Sequence, residues 1–387
     1  MTYDFDTVID RQESNSEKWD VKAGELPLTT ADMDFKTAPE ILSAMQEKIS
    51  FGVFGYEYPT EAYFKSVQDW QKAEHHAFAS TDWMIFTTGV IPAITASVNF
   101  LSQAGDKVLV MEPVYNIFYN SIINSGRQVL ASQLVYDQAN LKYSVDWADF
   151  EKKLADPLTS LLLLCNPHNP TGHVWSEEEL EKILLLAQKY SVTVISDEIH
   201  GDLVLSGPDY VPAFSLEEKF TSNVISLVSP SKTFNLAALH AATAIVPNPA
   251  LRARFNRAVN KYEVAEPNLL AIPATIAAYE KGGPWLHELR AYLLENRNYL
   301  AAFLAENLPQ IKLASEGATY LAWLDLSSIT NDSAEFSRQL REKTGLIVNP
   351  GTVYGGNGAS FIRLNLAYPQ RQIADALQRL HNFLTEE

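Results

Sequence analysis

Three apolar runs in this chain end in polar side chains, and this narrows the possible folds more than any other feature. Leu161–Gly172 reads LLLLCNPHNPTG, Val192–His200 reads VTVISDEIH and Val224–Asn235 reads VISLVSPSKTFN. Leucine and β-branched runs without polar alternation mark strands buried on both faces, as in a parallel sheet covered by helices. Such strands carry whatever follows them to their carboxyl edge. Here that edge presents an amide (Asn169), a carboxylate (Asp197) and an amine (Lys232). Together these suit pyridoxal phosphate: Lys232 as imine to its aldehyde, Asp197 on the pyridine nitrogen, Asn169 on the ring oxygen.

The remainder of the chain fits that reading. Between about 84 and 246, strand candidates alternate with helical patterns: Met84–Thr88, Lys107–Met111, Leu161–Cys165, Val192–Asp197, Val224–Val228 and Ala241–Val246. One helix, Glu177–Tyr190, opens on Ser176 and Glu179, the spacing of a capping box. The expected fold class is α/β, a mostly parallel sheet in a large domain plus a smaller α+β domain. From about 284 the pattern changes to a long helix, Trp285–Asn307, then strands Thr319–Leu326 and Phe361–Leu366 around another helix. The large domain is placed at 49–282, and the smaller one at 1–48 with 283–387.

Composition excludes several classes of function. Of 387 residues 47% are apolar and 20% charged, a globular balance, and the net charge is −17. That charge disfavours nucleic acid and anionic membrane as partners. The amino end is polar, no run reaches membrane-spanning length, and the one cysteine, Cys165, suits a reducing compartment. The expectation is a cytoplasmic protein, with Cys165 a buried strand thiol. His75–His76 and His200-x-Asp202 lack further ligands at metal spacing. Ser229-x-x-Lys232 with Lys343-Thr344-Gly345 matches two penicillin-recognising signatures. The third is missing, and Gly345 reads as a helix stop.

Further site residues follow from chemistry. A lysine that forms an imine and then acts as a base sits just beyond a strand, although Lys232 alone also reads as a turn lysine. Asp197 closing an apolar strand is costly unless paired, and a protonated pyridine nitrogen is a fitting partner. The strand–glycine–helix junction around Gly89, Val90 and Ile91 offers backbone N–H groups to a phosphate. Ser229 and Ser231 add hydroxyls beside the lysine, and Tyr115 is placed to stack on a cofactor ring. Arg363, inside the apolar strand FIRLNLA, needs an anion: a substrate carboxylate or an internal salt bridge.

At this point the sequence resembles fold-type I pyridoxal-phosphate enzymes, specifically the cystathionine β-lyase-like branch (MalY/PatB type C–S lyases). The resemblance runs over nearly the whole chain. It rests on YDFD…IDR…KWD (Tyr3–Asp20), ADMDF (Ala31–Phe35), FGYEYP (Phe54–Pro59), TTGVIPAI (Thr87–Ile94), NPHNPTG, SDEIHGDL, SPSKTFNLA and NPGTVYGGNGASFIRLNLA. It implies a homodimer with sites at the subunit boundary, where Tyr56 reaches the neighbouring subunit's phosphate. It also implies Lys232 as imine, Asp197 on the ring nitrogen, Asn169 on the ring oxygen and Tyr115 stacking. Gly89, Val90, Ile91 and Ser229 would bind phosphate. Arg363 would take the substrate carboxylate, and Asp32, Tyr56 and Asn169 would join it on the substrate side.

Two positions favour a lyase over an aminotransferase of class I/II, which is the alternative. Aspartate-type aminotransferases carry a tyrosine three residues after the pyridine aspartate, where this chain has His200 beside the cofactor. They also carry an arginine eight residues after the lysine, where this chain has His240. Two departures from the lyase pattern are Thr29-Thr30 in place of Trp-Val before ADMDF, and Ala238 in place of a glycine. The implied reaction is β-elimination from L-cystathionine or another L-cysteine S-conjugate, giving a thiol, pyruvate and ammonia.

Overall fold

Leu161–Leu164 and Val224–Leu227 are each no more than 1% exposed, so these runs lie between two covering layers. Each fully buried leucine contributes about 1.5–3 kcal/mol, which is why such runs dictate the sheet. The computed structural model describes residues 3–385; residues 1–2 and 386–387 of the expected smaller domain lie outside the described residues.

The main sheet has eight strands in the order Met84–Thr87, Ala242–Ile245, Val224–Val228, Thr193–Asp197, Thr159–Cys165, Lys107–Glu112, Gln128–Asp137 and Lys142–Val145. The central strands pair in parallel, from Val224–Val228 across to Gln128–Asp137. Their register sets Cys165 beside Asp197 and Asp197 beside Leu227, so the polar residues following each run meet at one edge.

All six expected strands are present, Val224–Val228 with its expected bounds and the others with ends shifted by at most two residues. Ala242–Ile245 runs antiparallel to both its neighbours, so the sheet is mixed at that side. The hairpin Gln128–Val145 was not anticipated. It lies at the sheet's edge, where Gln128, Gln133, Val135 and Asp137 are exposed, and the continuous apolar signal of the central strands is missing.

Helices cover both faces of the sheet. Val90–Leu101 and Pro249–Lys261 pack on one, with Ile94, Val98 and Phe255 fully buried against Val108, Leu161 and Ile225. Trp147–Leu154 and Glu177–Lys189 pack on the other. The latter carries the expected capping box: Ser176 accepts the Glu179 N–H, and the Glu179 carboxylate accepts the Ser176 N–H at 2.9 Å. Gly345 ends the helix Ser333–Thr344 at φ 72°, as its reading as a helix stop requires.

A second, antiparallel sheet orders Lys312–Leu313, Leu321–Asp325, Phe361–Asn365 and Asn349–Pro350. Against it pack Gly283–Asn307, Ser333–Thr344 and Gln370–Thr385. From the amino end, Leu26–Pro27 pairs in parallel with Leu346–Ile347. The helix Pro39–Ser50, expected with the smaller domain, lies against Ala271–Lys281 of the larger. The domain boundaries themselves stand as our proposal.

One close approach joins the two sheets. Gly172, at φ +67°, has the Ala318 carbonyl oxygen 2.8 Å from where a Cβ would sit. Only glycine allows both that backbone and that contact. The Glu316 and Ala318 N–H groups then donate to the Thr171 and Gly172 carbonyls at 2.7 and 3.0 Å. His173 adds a link, its two ring nitrogens facing Glu316 at 2.9 Å and Glu179 at 3.3 Å. Only the imidazolium donates from both nitrogens, and these carboxylates raise the His173 pKa to about 9.

Candidate active site

Beyond the carboxyl edge of the central strands lies a cavity of about 630 Å³. Its wall includes Gly89, Val90 and Ile91, Tyr115, Asn169, Asp197, His200, Ser231, Lys232 and Arg363. Ten of the residues singled out from the sequence, drawn from six separate segments, therefore share one chamber.

Lys232 sits in the short helix Pro230–Thr233 that follows the strand Val224–Val228. Its Nζ donates to the Ala31 carbonyl oxygen at 2.6 Å. Burial, with a contribution from Arg363, lowers its pKa to about 8, against the opposing pull of Asp32 and Asp197. The amine is therefore within reach of its neutral, nucleophilic form near neutral pH.

Asp197 is 4% exposed, and among the described residues its carboxylate accepts only the Ile199 N–H, at 3.2 Å. Burial raises its pKa to about 7. Arg363 is also 4% exposed. Its Nη1 donates to Asn169 Oδ1 at 3.2 Å and its Nη2 to the Thr29 carbonyl at 3.1 Å, while its Nε is buried without a partner among the described residues. No carboxylate among the described residues pairs with it within 4.0 Å, so the internal salt bridge weighed for Arg363 is absent. A buried guanidinium held by two neutral oxygens calls for an anion from outside.

His200 is buried, and its Nδ1 has no hydrogen-bond partner among the described residues. Burial first, then Lys232 and Arg363, lowers its pKa to about 3, so the ring is neutral. Tyr115 keeps its phenol protonated, its pKa raised to about 12 by burial. At the opposite end Gly89 precedes the helix Val90–Leu101 at φ 127°, and no side chain caps that helix. The first-turn N–H groups at Val90 and Ile91 are thus free for an anion.

These features fit pyridoxal phosphate on structural grounds. A lysine amine and a buried, unpaired carboxylate occupy one chamber, with an uncapped helix start in the same wall. Three expected residues are not on the cavity wall. Asp32 is engaged elsewhere, by Lys18 at 2.7 Å and Arg11 at 2.7 Å. Ser229 Oγ lies 2.7 Å from both Ser231 Oγ and the Ala241 carbonyl oxygen, so it positions the lysine's helix while Ser231 faces the cavity. Tyr56 is 100% exposed.

Other wall residues were given no role by the sequence, although Thr30 was noted there as a departure from the lyase pattern. The Ala31 carbonyl takes hydrogen bonds from both Lys232 and Tyr320 Oη. Glu17 and Thr30 also line the chamber, brought there by the fold of the amino-terminal segment. Asn235 holds that segment at Met33 and Phe35, and Asn365 holds it at Thr30 and Asp32, all at 2.7–3.0 Å. A two-asparagine stitch across distant segments leaves no periodic signal in a sequence. Cys165 lines the chamber as a buried thiol whose pKa burial pushes up. His75 pairs with Asp202 at 2.6 Å, and no group of three or more metal-binding side chains exists among the described residues. Nor is any helix among them long and apolar enough to cross a membrane.

Residues 23–380 match the family described as aminotransferase class I and II. The chain belongs to that family. It is 38% identical to cystathionine beta-lyase PatB of Bacillus subtilis (strain 168), over 97% of this chain and 98% of that protein. It is 33% identical to protein MalY of Escherichia coli (strain K12), over 98% of each. Cystalysin of Treponema denticola, solved with pyridoxal 5′-phosphate, superposes at a TM-score of 0.96 with 33% identity, covering 100% of each chain. The family's α/β architecture, in its fold-type I form, is the one observed here.

The raised pKa of Asp197 has a consequence for stability. In the unfolded chain an aspartate titrates near 3.8, whereas in the fold Asp197 titrates near 7. Between those values the folded protein holds a proton that the unfolded chain has released, so stability falls as pH rises through the window. Above pH 7 the whole cost of the buried carboxylate is present. In coenzyme-free protein, Asp197→Asn is therefore expected to raise Tm by about 2–5 °C at pH 8 and to leave it unchanged near pH 4. Calorimetry at the two pH values checks this; a variant no more stable than wild type at pH 8 would contradict it.

Proposed function

We propose that this protein is a pyridoxal-phosphate-dependent carbon–sulfur β-lyase acting on L-cysteine S-conjugates such as L-cystathionine. The observation that carries the reading is the unpaired trio Lys232, Asp197 and Arg363 in one chamber. The named activity of PatB, over essentially the whole length, supports it.

Each residue has a definite task. Pyridoxal phosphate, when bound, supplies an electron-accepting ring that delocalises charge developing at the substrate's Cα. Asp197 holds the proton on the pyridine nitrogen, which the ion pair favours over the lone buried carboxylate. Arg363 takes the substrate's α-carboxylate in its fork and so fixes which Cα bond faces Lys232. As a free amine, Lys232 Nζ would accept the α-proton, with a pKa near 8 suited to that role. The Cβ–S bond then breaks and the electron pair leaves with sulfur as thiolate. Water converts the released aminoacrylate into pyruvate and ammonia. His200 stays neutral beside these groups, and Asn169, which accepts from Arg363 Nη1 at 3.2 Å, is our proposed partner for the ring oxygen.

We further propose Tyr115 as the ring's stacking partner, and Ser231 with the amides of Gly89, Val90 and Ile91 as the phosphate seat. We also propose a homodimer in the cytoplasm. Phe51 is 73% exposed, Phe54 70% and Tyr58 74%, an apolar run around Tyr56 that a second copy would cover. In that assembly Tyr56 reaches the neighbouring phosphate. Light scattering is expected to give twice the 43.2 kDa chain mass, and Tyr56→Phe to weaken coenzyme binding about tenfold. A monomer, or an unchanged dissociation constant, would contradict this arrangement.

The reaction class is tested without any keto acid. Purified holoenzyme given L-cystathionine is expected to release pyruvate and thiol steadily through many turnovers. One stoichiometric turnover that leaves the coenzyme as its amine would point to transamination instead. Arg363→Ala is expected to lower kcat/KM about 100-fold, the loss of a charged hydrogen-bonded pair.

A further inference from the structure

The charges on the cavity wall are not all used by the reaction just described. Lys232, Asp197 and Arg363 are assigned to the coenzyme and the α-carboxylate. Glu17 lies on the same wall, with its side chain exposed. Its carboxylate makes no hydrogen bond or ion pair among the described residues.

The neighbouring charges do not neutralise it. Lys18 points the opposite way, its side chain fully buried, and pairs with Asp32 at 2.7 Å and Asp34 at 2.6 Å. Arg11 pairs with the same two aspartates, at 2.7 and 2.8 Å. Two cations and two anions cancel, and of the acidic side chains in this segment without an ion pair among the described residues, Glu17 is the one on the chamber wall. The same network fixes where Glu17 stands. Arg11 Nη2 donates to Ser16 Oγ at 2.9 Å, and Lys18 Nζ to the Asp32 carbonyl at 3.0 Å. The turn bearing Glu17 is thereby clamped onto Thr30–Asp34, the segment whose Ala31 carbonyl holds Lys232.

From this we infer that Glu17 reads the far end of the group on the substrate's sulfur, and favours a cationic end. The inference rests on the β-lyase reading for its substrate class. An ammonium on a short S-alkyl chain would meet the Glu17 carboxylate, whereas an anionic end would be repelled by it. Because Glu17 is partly solvated, the preference is modest, about three- to tenfold.

Three cysteine conjugates vary the terminal charge, the first two with S-substituents of equal heavy-atom count: S-(2-aminoethyl)-, S-propyl- and S-(2-carboxyethyl)-L-cysteine. For wild-type holoenzyme and for Glu17→Gln and Glu17→Lys, two quantities are measured. One is kcat/KM from pyruvate release. The other is binding, from the initial amplitude of the visible spectral change on rapid mixing. Wild type is expected to rank them cationic, neutral, anionic. Glu17→Gln is expected to lose the three- to tenfold advantage of the aminoethyl compound while leaving the propyl compound unchanged. Glu17→Lys is expected to favour the carboxyethyl compound. A Glu17→Gln effect equal on all three, or absent from all three, would overturn the assignment. If no compound yields pyruvate but the charge order persists in the spectra, the lyase reading fails and the role of Glu17 stands.

Discussion

Two cations and a carboxylate sit in one chamber with none of the three in an ion pair among the described residues, and the rest of the site is organised around that fact. Lys232 is held by a carbonyl oxygen, Asp197 by a single N–H, and Arg363 by an amide and a carbonyl oxygen. Burying charges in this way costs several kcal/mol each in real proteins. A fold sustains such a cost when something outside the chain supplies the missing partners. A coenzyme with a cationic ring nitrogen and an aldehyde, and a substrate with a carboxylate, supply all three.

The scaffold explains how the cost is tolerated. The central strands are almost fully buried, so the edge that bears these groups is rigid. The amino-terminal segment closes the chamber from the other side, fixed by Asn235 and Asn365 and braced behind by the cluster of Arg11, Lys18, Asp32 and Asp34. Asp32, placed by resemblance on the substrate side, does its work at one remove. It is part of the brace, and its charge helps hold the Lys232 pKa from falling further.

The legible parts of this molecule were those with a local cause. Continuous apolar runs gave the central strands, Ser176 and Glu179 gave a helix start, and Gly345 gave a helix stop. The strand ends brought Asn169, Asp197 and Lys232 together because parallel strands share an edge. The hairpin Gln128–Val145 was missed because an edge strand alternates weakly with solvent. The placements of Thr30 and Ala31, and through them of the turn bearing Glu17, depend on contacts more than 200 residues apart, such as Asn235 with Met33 and Arg363 with Thr29. Those contacts leave no periodicity to read. Ser229 and Ser231 are two residues apart, and it is the short helix Pro230–Thr233, with Ser229 as its cap and Ser231 in its first turn, that decides which faces the cavity.

The central claim concerns one nitrogen atom, and chemical trapping reaches it directly. Purified protein incubated with pyridoxal phosphate, reduced with borohydride, digested and sequenced by mass spectrometry should carry the pyridoxyl group on Lys232. Asp197→Ala should cut the extent of labelling sharply at limiting coenzyme. Label absent altogether, or found on another lysine with Lys232 unmodified, would contradict the account.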